Sequence, residues 1–503
     1  MDETQVLIVG AGPTGLALAL VLARSGVKPR IVDQHAGPGE ASRAIVVHAR
    51  TLELYRQLGF ADEVVAKGIK VETVHLRERG RDVARFELGD IGEGLSPFPF
   101  VLSFPQDDHE RLLVERLKDA GVEVEWGTEL VSFEDDGGAV RAVLRRGDGD
   151  ETARFAYLCG CDGASSAVRK GLGIGFPGGT YDDVFFVADV EATGGAVNGD
   201  LNGCLGDAGI LLVLPVRSSG TTRLVGIVPE EVRDRPEIDF DDVRPVVEDL
   251  GGVSVERVNW FSTYHVHHRV ADRFRQGRAF LAGDAGHIHS PAGGQGMNTG
   301  VGDAVNLGWK LAAVLLGKAD AAILDTYEPE RIPFARTLVA TTDRAFTGIV
   351  GGLPGGHLIR TLLVPHLVPF ALGFSRVRKA AFRVLSQTRI NYRESPLSQG
   401  SAGEVSAGER LPWVESLDNF EPLASLDWQV HVYGTAGEPL RRLAAARLPR
   451  LVEFPWGEGP KAAGLAENAL YLLRPDGYVA FAAPEQDVAG LGRYMDTFKI
   501  ERR

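Results

Sequence analysis

The sequence predicts an α/β fold: a parallel sheet wrapped by helices, a mixed or antiparallel sheet inserted into it, and a small α/β unit at the C-terminal end. Three observations predict it. An apolar strand, a glycine turn, an apolar helix and a second strand ending in an acid follow one another within residues 5–33. Two further apolar strands, within 157–169 and 278–285, each run into an acid and small residues. Between them the pattern changes to the short apolar runs of sheet strands.

The chain opens Gln5-Val6-Leu7-Ile8-Val9, turns at Gly10-Ala11-Gly12-Pro13-Thr14-Gly15, and continues apolar from Leu16 to Arg24. Each glycine has a separate task in such a turn. Gly10 lets the chain reverse, Gly12 lets backbone approach a pyrophosphate, and Gly15 lets helix and strand pack closely. The helix start offers N–H groups and a positive dipole end to phosphate. The next strand, Lys28-Pro29-Arg30-Ile31-Val32, ends at Asp33, about 20 residues on, where an acid bonds ribose hydroxyls. Strand, turn, helix and acid in register indicate a dinucleotide, without separating NAD from FAD.

The separation comes from two later segments. One is Tyr157-Leu158-Cys159-Gly160-Cys161-Asp162-Gly163, running on to Arg169; the other is Phe280-Leu281-Ala282-Gly283-Asp284-Ala285. A carboxylate at Asp284 can bond a ribityl hydroxyl. The loop Pro291-Ala292-Gly293-Gly294-Gln295-Gly296-Met297-Asn298 follows, and its glycines let backbone approach a flat ring. Residues 297–314 read as a helix whose first N–H groups face that loop and can stabilise negative charge there. A second loop so far from the first, closing on one ligand, indicates a long, folded-back cofactor, and FAD is such a cofactor.

Composition narrows the class. A length of 503 residues allows two to three domains, and 44% hydrophobic with 24% charged residues is ordinary for a globular chain. A net charge of −14 argues against nucleic acid as a partner. Cys159, Cys161 and Cys204 cannot form a disulfide framework, and Cys159-x-Cys161 lacks metal or redox spacing, which fits a cytoplasmic protein. No targeting signal or membrane segment is expected. The most apolar late stretch, 361–375, is shorter than a span and contains Pro365, His366 and Pro369, which suggests a buried or interface helix pair.

The expected domains are 1–175 with 273–395, carrying the nucleotide loops; 176–272, carrying strands within 184–190, 209–214 and 223–228; and 396–503, a small α/β unit without C-x-x-C. The polar, glycine-rich stretch 398–408 reads as a linker. His48, His265, His267, His268, His287 and His289 are candidate bases by residue type only, and the catalytic base is unassigned. His265-x-His267-His268 has the spacing of a strand, and no metal site is expected.

With these motifs in this order, the chain resembles the class A flavoprotein monooxygenases, the aromatic hydroxylases built like p-hydroxybenzoate hydroxylase. The resemblance covers about residues 6–336 and continues from Asp303 through Asn306, Leu307, Trp309 and Lys310. The end of the chain, 404–503, with Arg474-Pro475-Asp476-Gly477-Tyr478-Val479, resembles the thioredoxin-like domain of phenol hydroxylase and the polyketide hydroxylases. The resemblance implies a Rossmann-like FAD domain, a middle domain whose sheet roofs the substrate pocket, and a thioredoxin-like domain without thiol chemistry. It implies that Gly10, Gly12, Pro13, Thr14, Gly15 and Asp33 hold the adenosine pyrophosphate, and that Arg43 touches FAD and helps receive the nicotinamide. Gln106, opening Gln-x-x-x-Glu, contacts the flavin, and Asp162 serves FAD and NAD(P)H binding. Gly283 and Asp284 hold the ribityl chain, while Pro291, Gly293, Gly294, Gln295, Gly296, Met297 and Asn298 line the isoalloxazine. Asp33 stands where glutamate is more usual, and Gly286 and Ser290 where Ala and Pro are. The implied reaction uses NADPH or NADH as transient reductant and O₂ to form a flavin C4a-hydroperoxide, which hydroxylates an aromatic substrate, with a polycyclic polyketide favoured. Baeyer–Villiger insertion, antibiotic inactivation and a flavin-binding protein without turnover remain as alternatives. A monomer or homodimer is expected.

Overall fold

The computed structural model describes residues 5–39, 44–78, 80–206, 209–216, 220–290, 292–350, 374–448 and 450–501. Arg43 and Pro291 lie outside the described residues, as do all but the last two residues of the stretch 361–375.

The three apolar strands read from the sequence lie side by side. Val6–Val9 pairs in parallel with Tyr157–Gly160 on one side and Arg30–Asp33 on the other, and Tyr157–Gly160 pairs in parallel with Ala279–Leu281. Val124–Trp126 extends the far edge in parallel. Parallel pairing aligns the carboxyl ends of the strands, where open α/β sheets bind ligands. Gly10, Cys161-Asp162 and Ala282-Gly283 therefore meet at one edge.

Both faces of this sheet are covered. Helix Pro13–Arg24 buries Leu16, Ala17, Leu18, Ala19, Leu20, Val21 and Leu22. It packs on the long helix Gly296–Leu315, where a Cβ at Gly308 would lie 2.7 Å from Val21 Cγ1, so only glycine permits the approach. Seven consecutive apolar positions suit a helix covered all round rather than one with a wet face.

The middle segment forms an eight-stranded sheet built on Gly178–Gly194 paired with Val253–Val270. Period-2 alternation gives it two faces. Val184, Phe186, Ala188, Leu211, Val213 and Leu224 pack beneath helix Phe240–Gly251. The opposite face presents Leu212 and Leu214, which pack on Ile45 and Val46 of the nucleotide domain. The hairpin Thr73–Glu78 with Arg81–Glu87 joins this sheet through parallel pairing to Leu201–Gly206. Residues 73–87 thus belong to the middle sheet although they fall within the first expected segment, because their partner strand is more than a hundred residues away in sequence.

The end of the chain forms a six-stranded sheet. Gln429–Tyr433 pairs in parallel with Arg450–Phe454 and antiparallel with Leu470–Leu473, which pairs antiparallel with Val479–Ala483. The expected linker at 398–408 is instead a hairpin on this sheet: Ala402 pairs with Val405, Gly400 pairs with Ala482, and Gly403 turns at φ +61°. Its glycines serve a tight turn, not a flexible tether. Among the described residues, no helix is long and apolar enough to cross a membrane.

Candidate active site

The glycine turn is shaped by close approach. A Cβ at Gly15 would lie 1.9 Å from the Gly10 carbonyl oxygen, and one at Gly10, whose φ is +101°, would lie 2.3 Å from that of Cys161. A Cβ at Gly12 would meet no protein atom within 4 Å. Gly12 begins helix Pro13–Arg24, and no side chain caps it. The turn is therefore packed on its protein side and open at the helix start, a cradle that fits a pyrophosphate. Asp33 closes it: Oδ2 accepts from Ala11 N at 2.7 Å, and Oδ1 accepts from His35 N at 2.8 Å. Oδ1 also meets His35 Nδ1 at 2.7 Å, so Oδ2 is the oxygen that keeps a lone pair for a ribose hydroxyl.

Thr14 joins the first loop to the third. Its Oγ1 would be 2.5 Å from a Cβ at Gly283 and 2.3 Å from one at Gly300, so both positions must be glycine. Asp284 is exposed at the tip of the single turn Gly283–Ala285, while Gly283 and Ala285 on either side are buried. Gly283 N donates to Asp303 Oδ2 at 3.0 Å. Asp303 also takes His287 Nε2 at 2.7 Å and Arg331 Nε at 2.5 Å. Burial would raise the Asp303 carboxyl, but Arg331 and His287 more than reverse this and lower it to about 2.

The second motif acts mainly on the protein itself. Asp162 Oδ1 accepts from Ser166 Oγ at 2.6 Å and Oδ2 from Val168 N at 3.1 Å, closing the turn into helix Ala167–Gly171. Arg169 then donates to Ala285 O at 2.8 Å, tying the second motif to the third. No side-chain oxygen of Asp162 is directed at the first loop by these bonds.

The ring loop is held from behind. Asn298 Oδ1 accepts from His48 N at 2.8 Å and Thr51 Oγ1 at 2.7 Å, and Nδ2 donates to Val46 O at 2.8 Å and Gly294 O at 2.9 Å. Gln295 Nε2 donates to Leu385 O at 2.9 Å, and its Oε1 accepts from Gln387 at 2.6 Å. These side chains brace the loop, which leaves backbone as what they can offer a ligand. No side chain caps helix Gly296–Leu315, so its first turn retains donors suited to an anionic ring edge. Gly293 and Gly294 have φ of +77° and +62°, and a Cβ at Gly294 would lie 2.7 Å from Val46 Cβ. His48 Nε2 donates to Gly293 O at 2.9 Å; burial lowers its pKa to about 4, so the ring is neutral. His289 Nδ1 donates to Ser290 O at 2.7 Å, and burial lowers it to about 4 as well. Neither ring is cationic near neutral pH.

Gln106 and Glu110 hold Ala44 and Gly39. Gln106 Oε1 accepts from Ala44 N at 3.2 Å, its Nε2 donates to Glu110 at 2.8 Å, and Glu110 accepts from Gly39 N at 2.9 Å. Met297 Sδ takes a hydrogen bond from His109 Nδ1 at 3.0 Å, and His109 Nε2 accepts from Tyr55 at 2.5 Å. Sequence reasoning passed over Thr51 and Arg331. The one local signal was the placing of Asp303 and Lys310 inside an otherwise apolar helix. Cys159 and Cys161 are buried, and burial raises both thiols. Among the described residues, no group of His, Cys, Asp and Glu could hold a metal.

The sequence profile of the family described as FAD binding domain matches residues 3–342. The chain belongs to this family. It is 35% identical to 6-methylpretetramide 4-monooxygenase of Streptomyces rimosus, covering 95% of this chain and 90% of that protein. It is also 32% identical to dialkyldecalin synthase of Streptomyces rugosporus, over 99% of each chain. The solved ternary complex of aklavinone-11 hydroxylase with FAD and aklavinone superposes with a TM-score of 0.80 at 27% identity, covering 99% of this chain and 100% of that one. The cofactor of this chain is FAD, and its class is flavoprotein monooxygenase. The observed cradle fits that cofactor at each point tested: an open helix start for pyrophosphate, an acid for ribose, and a glycine loop at a second helix start.

Proposed function

We propose that this protein uses NADPH or NADH and O₂ to hydroxylate a polycyclic aromatic polyketide held between the ring loop and the middle sheet. The observation that carries the reading is the apolar underside of that sheet. Leu212 and Leu214 rest on Ile45 and Val46, and Val46 in turn rests on Gly294 of the ring loop. Val225, Val187, Phe185, Ile227 and Tyr264 share that face by register. A largely apolar wall, with the Arg223–Asp189 ion pair set into the same face, beside a loop that admits a flat ring suits a flat, fused-ring substrate. A relative named for 6-methylpretetramide and a solved complex that holds aklavinone support the same class.

When bound, FAD supplies hydride acceptance and oxygen activation. The chain's contribution is placement. The Pro13–Arg24 helix start and Asp33 would bind the adenosine end, Asp284 would hold the ribityl chain, and the Gly296–Leu315 helix start would supply donors to negative charge on the reduced ring. The thioredoxin-like reading of the end domain is supported by its parallel strand pair followed by a hairpin and helix Val488–Phe498. The deciding experiment is the visible spectrum of purified protein, then anaerobic reduction by NADPH with and without polycyclic phenols. Flavin bands with ligand-accelerated reduction support the reading; absence of flavin after reconstitution with FAD overturns it. The likeness to a dialkyldecalin synthase favours one second reading, a bound flavin that is not itself reduced and reoxidised. It holds if a ligand is transformed with no NAD(P)H consumed. In Asp284→Ala we expect FAD to dissociate at least about tenfold more readily, a loss of about 1.4 kcal/mol; a variant that retains full yellow colour through gel filtration contradicts the ribityl role.

A further inference from the structure

The Arg474-Pro475-Asp476-Gly477 turn is distant from the cofactor loops in sequence, yet its charges are buried against the helix that serves them. Arg474 and Asp476 are 0% and 2% exposed. Arg474 makes two bonds to Glu330, at 2.8 and 3.0 Å, and two to Asp476, at 3.0 and 2.6 Å. Asp476 accepts from Trp309 Nε1 at 3.0 Å, and its carbonyl accepts from Arg50 at 2.6 Å. Glu330 takes Lys310 Nζ at 2.8 Å and Asn306 Nδ2 at 2.7 Å. The adjacent Arg331 holds Asp303, which holds Gly283 N. Residues 303, 306, 309 and 310 lie on one side of helix Gly296–Leu315 by their three- and four-residue spacing.

Paired charges this deeply buried are a poor source of stability, since apolar packing would serve as well. What they supply is direction: a bidentate arginine fixes position and angle where apolar contact would slide. We propose that the Arg474–Asp476 turn is a positioning element of the flavin site, by which the C-terminal domain sets the register of the helix whose amino end and flanking Gly283-Asp284 loop address FAD. The proposal rests on the FAD assignment above.

The test uses the full-length apoprotein reconstituted with FAD. Trp309→Phe removes the indole donor to Asp476 while keeping a ring against Trp428; Arg474→Lys keeps the charge and loses the fork. The readouts are the FAD dissociation constant by flavin fluorescence, the flavin midpoint potential, and the melting temperature of the apoprotein. For Trp309→Phe we expect a dissociation constant raised about threefold or more and a shifted midpoint potential, beside a lowered melting temperature of the apoprotein from the lost buried bond, and a larger rise of the dissociation constant for Arg474→Lys. An unchanged dissociation constant and potential in Trp309→Phe, whether or not melting falls, would make this an ordinary domain interface and overturn the proposal. Should Arg474→Lys fail to fold, Trp309→Phe decides alone. Wild type that fails to bind FAD overturns the FAD reading instead.

Discussion

Gly12 and Gly15 are both glycines of one turn, but they are constrained from opposite sides. At Gly15 an added methyl overlaps the Gly10 carbonyl at 1.9 Å, so the protein itself forbids it. At Gly12 the backbone is ordinary, with φ −74°, and a methyl meets nothing within 4 Å, so only a ligand can object. Gly15→Ala should cost more than about 3 kcal/mol of stability, because backbone cannot give way as a flexible side chain can. Gly12→Ala should change apoprotein stability by less than about 1 kcal/mol. Its dissociation constant for FAD should nonetheless rise roughly tenfold or more, from a methyl placed where the pyrophosphate reaches the helix amides. Thermal melting of the two apoproteins, followed by FAD titration of Gly12→Ala, checks the pair. Equal melting losses would show that the open side of the turn is packed by protein after all.

At the scale of elements, the ring loop owes its shape to Asn298 more than to its glycines. Four hydrogen bonds from one buried amide connect it to Val46, His48, Thr51 and Gly294. Asn298→Ala leaves those partners buried without it, and we expect a loss of about 3 kcal/mol, with the ring loop freed from the 46–51 segment. Urea unfolding of the holoprotein measures this; a loss below about 1 kcal/mol would mean that the loop is held elsewhere. The same residue shows what was legible in the sequence. A helix over 297–314 could be read because its apolar positions continue with no proline among them, and Gly296–Leu315 is observed. Motif position placed Asn298 and Gln295 at the ring, yet their side-chain partners sit about 250 and 90 residues away, at 46–51 and at 385–387. No local periodicity encodes a partner at that separation. Asp162 is a milder case: Ser166 and Val168 are near neighbours, and a capping pattern could have been read there.

Across the whole molecule, three buried histidines and the half-buried His289, among the described residues, are held in the neutral form, and this gives the chain a pH dependence of predictable sign. His48 and His289 are lowered to about 4, and His109 and His431 to about 3, in each case first by burial. His48 and His289 flank the ring loop, His109 supports Met297, and His431 lies in the C-terminal sheet, so the effect belongs to no single domain. In the unfolded chain each takes up a proton near pH 6.5, while the folded chain refuses it until about pH 4 or below. The unfolded state then binds more protons throughout that window. Stability is complete above pH 6.5 and falls as pH drops toward the folded values. Four sites protonated only on unfolding give a slope of about 5 kcal/mol per pH unit near pH 5. Glu110 and Asp183, whose carboxyls burial raises, work in the opposite direction but are two groups against four. Below about pH 4 protonation of Asp303, lowered to about 2, adds a second loss and frees Gly283 N beside the cofactor loop. The expected result is a melting temperature flat from pH 8 to about 7 and falling steeply from pH 6 to 4.5, with flavin released along the same curve. His431→Asn should flatten the melting curve without moving flavin affinity at pH 7.5, because that ring lies outside the flavin loops. A melting temperature unchanged between pH 7 and 5 would show that these rings are protonated in the folded chain and that their neighbours, not burial, govern them.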